Sequence, residues 1–293
     1  MMKISYYPGC TLKSNAKNFE DSTLCSLKEL GIDVQELKRW NCCGTVYSLA
    51  TDDLMHHLAS IRNLIRVKEA NTDAVMTLCA MCYNTLKRVN ERVKADPESL
   101  EKIHNFMDEE EVPYQGDVKV LHLLELLRDD IKFENIAKKV RKPVKSLKVA
   151  SYYGCLLVRP KGIGLDDMEN PMVLDDLMAT LGAKPVDFPY KTECCGAYQT
   201  VDKPETVAER TYNILTSAHS HGAEVVAVSC PLCAFNLDHR QKETLQKYSG
   251  FKKMPILYFT QIMAIALGCG EEDLRFDLHY VDPRPLLKQK GLI

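Results

Sequence analysis

The chain has a single tryptophan, almost no surplus of either charge and no long uninterrupted apolar run. Lys plus Arg (38) nearly cancels Asp plus Glu (40) over 293 residues, so no long-range field points to nucleic acid or to an anionic membrane surface. The longest apolar stretch, Pro255 to Leu267, is broken by Thr260 and Gln261 and is too short to span a bilayer. MMKISYYPGC at the start lacks the apolar core of a signal peptide, and a cytoplasmic location is the expectation. GIG at Gly162 to Gly164 and GCG at Gly268 to Gly270 lack the rest of a dinucleotide fingerprint, which argues against a flavin or nicotinamide on this chain. The eight histidines show no HExxH spacing, and His56 and His57, adjacent on a helix, cannot both face one ion.

What is abundant is cysteine, 12 in all, in a chain whose 45% hydrophobic content can supply a core. Without an export signal, these thiols are expected to be metal ligands or redox groups rather than a disulfide framework.

The chain says most things twice. KISYYPGC (Lys3 to Cys10) matches KVASYYGC (Lys148 to Cys155), NCCG at Asn41 matches ECCG at Glu193, and DAVMTLCAMCYNTL (Asp73 to Leu86) matches EVVAVSCPLCAFNL (Glu224 to Leu237). VKVLHLLELLRDD at Val118 is loosely answered by MPILYFTQIMAIALG at Met254. A tandem duplication with its seam between Ile131 and Ser146 follows, giving expected domains of residues 1–140 and 141–293.

Each half reads as alternating strand and helix. Ile4 to Tyr7 is a strand, Ser14 to Leu30 a helix stopped by Gly31, and Ile32, Val34 and Leu37 mark a second strand. Thr51, followed by Asp52 and Asp53, suits the start of a helix with Leu54, Leu58, Ile61 and Ile65 on one face; Asp73 to Leu78 is a third strand. In the second half Val149 to Tyr153, Val186 to Phe188 and Val225 to Val228 read as strands, with helices over Val173 to Leu181, stopped by Gly182, and Pro204 to His221. Strands separated by helices imply parallel pairing and an α/β fold of two small layered units. The cysteines fall where strands end, where open parallel sheets assemble sites.

The first half spells C-x31-CC-x35-C-x2-C through Cys10, Cys42, Cys43, Cys79 and Cys82; the second spells C-x38-CC-x34-C-x2-C through Cys155, Cys194, Cys195, Cys230 and Cys233. A tetrahedral zinc site needs four ligands and leaves one thiol of each set unexplained, whereas a polynuclear iron–sulfur group engages thiolates arriving from several directions. Adjacent cysteines favour the larger group, because neighbouring side chains point apart and meet only across a sharp turn, for which Gly44 and Gly196 are suited. A vicinal disulfide is the strained alternative. Cys25 and Cys269 stand outside the pattern; Cys25 is expected to be an inert buried thiol, and Cys269 to lie away from the two sets.

These paired segments, each with CCG after its central pair, resemble the CCG domains of the B-type subunits of heterodisulfide reductase over nearly the whole chain. The resemblance implies one noncubane [4Fe-4S] cluster per half, held by Cys10, Cys42, Cys43, Cys79 and Cys82 in the first and by Cys155, Cys194, Cys195, Cys230 and Cys233 in the second. It implies that the two clusters face a pocket in which a disulfide is split, making the chain the disulfide-reducing oxidoreductase component of a larger complex. Electrons would arrive from a small [4Fe-4S] protein, like the C-type component of such complexes, wired to a flavoprotein, like the A-type component, that splits electron pairs. Both halves carry CCG, as CCGTVY and CCGAYQ, where methanogen-type relatives differ around the first pair. That departure leaves the coenzyme M–coenzyme B heterodisulfide and other disulfides open as substrate. It also keeps alive an electron-transfer role with a non-disulfide acceptor, such as a folate-linked reductase, and a zinc-stabilised scaffold is the third alternative.

Around the motifs, Tyr6-Tyr7, Trp40 and Tyr152-Tyr153 are expected to pack as apolar wall or to donate hydrogen bonds to cluster sulfur. Lys13, Lys17, Arg159 and Lys191 are candidates to attract an anionic substrate.

Overall fold

A computed structural model describes residues 2–45, 57–107, 110 and 114–293. Strand β1 (Met2–Tyr7), helix α1 (Lys17–Glu29), β2 (Ile32–Glu36), α2 (Leu58–Glu69), β3 (Ala74–Thr77), α3 (Ala80–Ala95), α4 (Pro97–Phe106) and β4 (Lys119–His122) form the first unit. A short turn of helix, α5 (Leu123–Glu125), a π turn over Leu126–Ile131 and α6 (Phe133–Ala137) lead onward. The second unit repeats the order with β5 (Lys148–Tyr152), α7 (Val173–Thr180), β6 (Lys184–Pro185), α8 (Pro204–Ser220), β7 (Val225–Val228), α9 (Pro231–His239), α10 (Gln241–Lys247), β8 (Ile256–Tyr258), α11 (Phe259–Leu267) and α12 (Arg284–Gln289).

Both sheets are parallel throughout, in the order β2-β1-β3-β4 and β6-β5-β7-β8. Ser5 pairs with Val75 and Val149 with Val225, so the central strands of the two units run in matching register. Helices cover both faces of such a sheet, which explains why the centre of β7, VVAV, is apolar at every position and buried throughout. In this strand order the chain leaves β1 toward one side and β3 toward the other, creating a crevice at their carboxyl ends; β5 and β7 do the same.

The α/β reading holds, with local differences. The first helix starts at Lys17 rather than Ser14, because Ser14 turns its hydroxyl onto the carbonyls of Cys10 (3.1 Å) and Thr11 (3.3 Å) and the chain forms tight turns instead. In the second half the strand covers Lys184–Pro185, the Val186 amide still donates to the carbonyl of Val149 (2.8 Å), and pairing does not extend to Phe188, beyond which Pro189 supplies no amide donor. The fourth strands, β4 and β8, correspond to the loosely matched tails. The start of the second helix near Thr51 lies outside the described residues; within them Ile61 and Ile65 are buried as its periodicity requires. Among the described residues no helix is long and apolar enough to cross a membrane.

The two units interlock. Helix α1 lies against α11, with Phe19 stacked on Tyr258 (4.2 Å between ring centroids) and Ser22 hydrogen-bonded to Thr260 (2.7 Å). Cys25 on α1 and Cys269 beyond α11 form a disulfide across a Cα–Cα distance of 6.3 Å. This corrects the expectation of an inert buried thiol at Cys25: both residues are half-buried and bonded, and a partner 244 positions away leaves no trace in local spacing.

Candidate functional site

Every cysteine of the two repeated patterns sits at the carboxyl end of a sheet. Cys10 follows β1 through Pro8 and Gly9, Cys42 and Cys43 follow β2, Cys79 caps α3 and Cys82 lies in its first turn. Cys155 follows β5, Cys194 and Cys195 follow β6, Cys230 caps α9 and Cys233 lies in its first turn. All ten are free thiols.

The structure brings them into one row. Cys10 Sγ is 4.0 Å from Cys42 Sγ, Cys43 Sγ is 3.6 Å from Cys82 Sγ, and Cys195 Sγ is 3.5 Å from Cys233 Sγ. Cys42 and Cys43, Cys79 and Cys82, Cys155 and Cys194, Cys194 and Cys195, and Cys230 and Cys233 are near enough to shift each other's ionisation. The two sets come together where Cys79 of the first and Cys230 of the second shift each other's ionisation. At the same junction the amide of Ala80, opening α3, donates to the carbonyl of Ser229 (3.3 Å). The inner members of the row are buried; Cys10 and Cys42 open to solvent, and Cys155 and Cys194 are half-buried.

Local structure explains the convergence. Gly44 and Gly196 adopt φ of +84° and +83°, the left-handed turn required to fold each adjacent pair back, and the amide of Gly196 donates to Cys194 Sγ (3.3 Å). Gly9 and Gly154 are also left-handed, and a Cβ on either would lie 3.0 Å from Cys82 Sγ or 3.3 Å from Cys233 Sγ. Glycine there lets the backbone approach the sulfur of the C-x2-C pair. Helices α3 and α9 aim their amino-terminal partial positive charge at the row, which favours thiolates.

Tyr7 and Tyr152 perform the same task in each unit. The Tyr7 hydroxyl donates to the carbonyl of Asn41 (2.8 Å) and that of Tyr152 to the carbonyl of Glu193 (2.6 Å), in each case the residue before the cysteine pair. Both phenols are buried, and burial, followed by the neighbouring thiolates, raises them far above the usual phenol range, so they remain donors. They clamp the loop rather than bonding sulfur. Asn236 adds a second clamp, donating to the carbonyl (3.1 Å) and Sγ (3.6 Å) of Cys195. Trp40 stands edge-on to Tyr7 and donates to Glu36 (3.0 Å).

The row's own electrostatics test whether a metal group fits. Cys43 is held well below its ordinary pKa chiefly by the neighbouring Cys42 thiol, Cys194 is brought down to about 2 by that of Cys155, and Cys230 is lowered by that of Cys233. Their neighbours are pushed up: Cys42 by the nearby Cys43, Cys155 by Cys194, Cys79 by Cys230, Cys82 by Cys43 and Cys233 by Cys195. Protonated donors thus separate thiolates, because adjoining buried anions repel. Ionising the whole row needs positive charge in its midst, which a metal group supplies. No three of the ten sulfurs lie within 4.8 Å of one another, a spread that suits a polynuclear group better than a lone tetrahedral ion. The donor set therefore fits an iron–sulfur group.

The four cations singled out from the sequence do not gather at the thiols as free charges. Lys13 is paired with Glu20 (2.7 Å) and Glu36 (2.6 Å), Arg159 with Glu169 (3.0 Å), and buried Lys191 with Asp187 (2.9 Å), while Lys17 is exposed on α1. The glycines at positions 9 and 154 and the clamp at Asn236 were missed in sequence. The repeated YPGC and YYGC signalled the glycines; Asn236 has Thr85 at the matching position of the other half and carried no signal.

A duplicated parallel α/β unit with five cysteines at each set of strand ends defines a tandem cysteine-rich protein. The chain belongs to the cysteine-rich domain family, designated CCG, which matches residues 4–87 and again 149–238. It is 30% identical over 285 residues to the 8-methylmenaquinol:fumarate reductase membrane anchor subunit of Wolinella succinogenes, covering 97% of this chain and 99% of that one. It is 29% identical over 278 residues to the B-type subunit of the ferredoxin/F420H2-dependent CoB-CoM heterodisulfide reductase of Methanosarcina acetivorans, covering 94% and 92%. The crystal structure of a hypothetical protein from Helicobacter pylori shares the fold, with a TM-score of 0.75 at 14% identity over 95% of this chain; this chain spans 51% of that one. Along nearly its whole length the chain is a homologue of oxidoreductase subunits, among them the B-type subunits of heterodisulfide reductase.

Proposed function

We propose that the chain is the iron–sulfur component of a redox complex and reduces a disulfide to two thiols. In this reading Cys10, Cys42, Cys43, Cys79 and Cys82 hold one noncubane [4Fe-4S] cluster and Cys155, Cys194, Cys195, Cys230 and Cys233 a second, and residues 1–140 and 141–293 act as the two domains. The junction of the two units carries the reading: the Ala80 amide, beside Cys79, donates to the carbonyl of Ser229, beside Cys230 (3.3 Å), and so brings two five-thiol sets together.

Bound there, the iron–sulfur groups supply the two electrons that a disulfide takes up, with two protons, on becoming two thiols. The chain's own residues prepare the site. Tyr7 and Tyr152 hold the paired-cysteine loops, Gly9 and Gly154 admit the backbone beside sulfur, and the helix starts of α3 and α9 favour negative charge. The buried inner sulfurs are shielded from water, while Cys10 and Cys42 lie at the open end. Electrons are proposed to arrive from a C-type [4Fe-4S] protein and an A-type flavoprotein of the same complex.

A second reading, an electron relay whose acceptor is not a disulfide, is favoured by the Wolinella relative, whose name couples a quinol to fumarate. Iron and acid-labile sulfide analysis of anaerobically prepared protein tests the shared premise; a colourless protein with stoichiometric zinc overturns it. Reduced viologen with a panel of disulfides then divides the readings, since no consumption by an intact, iron-loaded complex leaves the relay. Cys43→Ser is expected to remove only the first half's spectroscopic signal and Cys195→Ser only the second's.

A further inference from the structure

The duplication is broken at one place. In the first unit Tyr83 on α3 is fully buried and donates to the carbonyl of Ile163 (2.9 Å), while Asn84 donates to those of Leu156 (2.8 Å) and Arg159 (2.5 Å). The long segment between Cys155 and α7 is thereby strapped onto α3. The matching positions on α9 are Ala234 and Phe235, and the segment between Cys10 and α1 is short, running only from Thr11 to Ala16. The groove that is filled on one side of the molecule is consequently a cleft of about 730 Å³ on the other.

The cleft runs beside the thiol row, since Thr11, next to Cys10, and Pro231 and Leu232, between Cys230 and Cys233, line it. Its volume is that of a small-molecule site. Several of its charged and polar groups are already engaged. Asp238 accepts from the amides of Tyr280 (2.7 Å) and Val281 (3.0 Å), His279 Nε2 faces the amide groups of Asn18 (3.1 Å) and Gln261 (2.9 Å), and Arg240 is bound to Glu243 (2.8 Å). Arg240, the one lysine or arginine among the lining residues, is thus held by a carboxylate. What the cleft offers is apolar surface and a partly exposed aromatic ring: Phe235, 39% exposed, stacks with His239 at 5.0 Å and 19° between planes and carries the Arg240 guanidinium 5.5 Å from its centroid, and Val201 at the rim is 92% exposed.

We infer that this cleft binds a neutral, flat, ring-bearing molecule of the quinol class. The inference rests on the proposed reading of the chain as a redox component and deepens its quinol-linked form. The ring lies against Phe235 and His239, with its apolar portion over Leu232 and Ala234. Position 234 decides the site, because Tyr83 shows what a large side chain does at the matching point: it closes the groove.

The test is equilibrium dialysis of the full-length, anaerobically prepared chain against 2,3-dimethyl-1,4-naphthoquinone, whose ring positions are blocked to attack by thiols. Ala234→Tyr fills the cleft from one wall and Leu278→Trp from the other, and melting temperature and iron content are measured on each. Saturable binding of one molecule per wild-type chain, weakened at least tenfold in either variant that melts and carries iron like wild type, supports the site. No saturable binding to wild type overturns it, as does binding that survives unchanged in a folded filled variant. Iron-free protein sinks the redox reading instead, and leaves the dialysis result to stand or fall on its own.

Discussion

Replacing Tyr152 with phenylalanine removes one oxygen from a buried position and leaves the ring in place. That oxygen is 2.6 Å from the carbonyl of Glu193, next to the Cys194-Cys195 pair. Without it the carbonyl of Glu193, a solvent-exposed residue, exchanges a protein donor for water, at a cost of about 1 kcal/mol. For a chain of this size each kcal/mol is worth roughly 2 °C, so the melting temperature is expected to fall by about 2 °C. Tyr7→Phe, which frees the carbonyl of Asn41, is expected to do the same in the first unit, and the double variant to lose about the sum, since the two hydrogen bonds share no partner. Stability alone does not distinguish a loop clamp from any buried hydroxyl, and Tyr153 supplies the comparison. Its hydroxyl donates to Asp175 (2.6 Å) and accepts from the amides of Leu174 and Asp175 (both 3.1 Å), holding the start of α7 rather than a cysteine loop. Tyr153→Phe should therefore lower the melting temperature at least as much while leaving iron content intact. Tyr152→Phe should lower iron content, with the loss confined to the second half's spectroscopic signal. Calorimetry and iron analysis on the same anaerobic samples decide the matter. Full iron and an unchanged melting temperature in Tyr152→Phe would refute the clamp, and equal iron loss in Tyr153→Phe would reduce it to a general stability effect.

Gly154→Ala is expected to cost about 1 to 2 kcal/mol through its left-handed backbone and, by pressing on Cys233, to lower iron content; Gly222→Ala, also left-handed but with open space around it, should pay only the backbone cost. Cys25→Ser removes a cross-link between α1 and the end of α11, and a loss of about 2 to 5 kcal/mol is expected with iron unchanged, reproduced in wild type by a thiol reductant. A melting temperature insensitive to both would mean that the packing of α1 on α11 suffices without the bond. The His279 side chain is buried and its pKa is lowered to about 4, chiefly by desolvation and then by the charge of His239, with Asp282 and Asp277 opposing. The unfolded chain then binds a proton that the folded chain refuses, so stability falls as pH drops from about 6.5 toward 4, by about 3 kcal/mol if His279 acts alone. Asp238, raised by burial, works in the opposite sense and trims that figure. His279→Gln should flatten the acid limb of denaturant midpoint against pH, and an unaltered limb counts against the assignment.

Much of the molecule was legible in one dimension because its signals are local and repeated. A strand ending in Pro-Gly-Cys, an adjacent pair before a left-handed glycine and a C-x2-C pair opening a helix each depend on neighbours a few residues apart, and their counterparts recur in the second half. The parallel pairing followed from the alternation of strands with helices. Even the fourth strands left a mark in the matched tails, although a run as short as Ile256–Tyr258 cannot be distinguished from the helix it enters by periodicity alone.

Tertiary packing decided everything that depends on which distant surfaces touch. The Cys25–Cys269 bond exists because α1 and α11 lie side by side, and the thiol sets come together because the first amide of α3, on Ala80, bonds the carbonyl of Ser229 just before α9. The tyrosine hydroxyls turned from sulfur to a carbonyl for the same kind of reason, since strand twist and loop path, not composition, set what lies within hydrogen-bond reach. Repeated residues made the two units alike, but a tyrosine facing an alanine at matching positions acquired meaning only when one groove was filled and the other left open. Spacing along a chain encodes turns and periodic faces; it does not encode the free energy of long-range packing, which is summed over many small contacts between segments far apart in sequence.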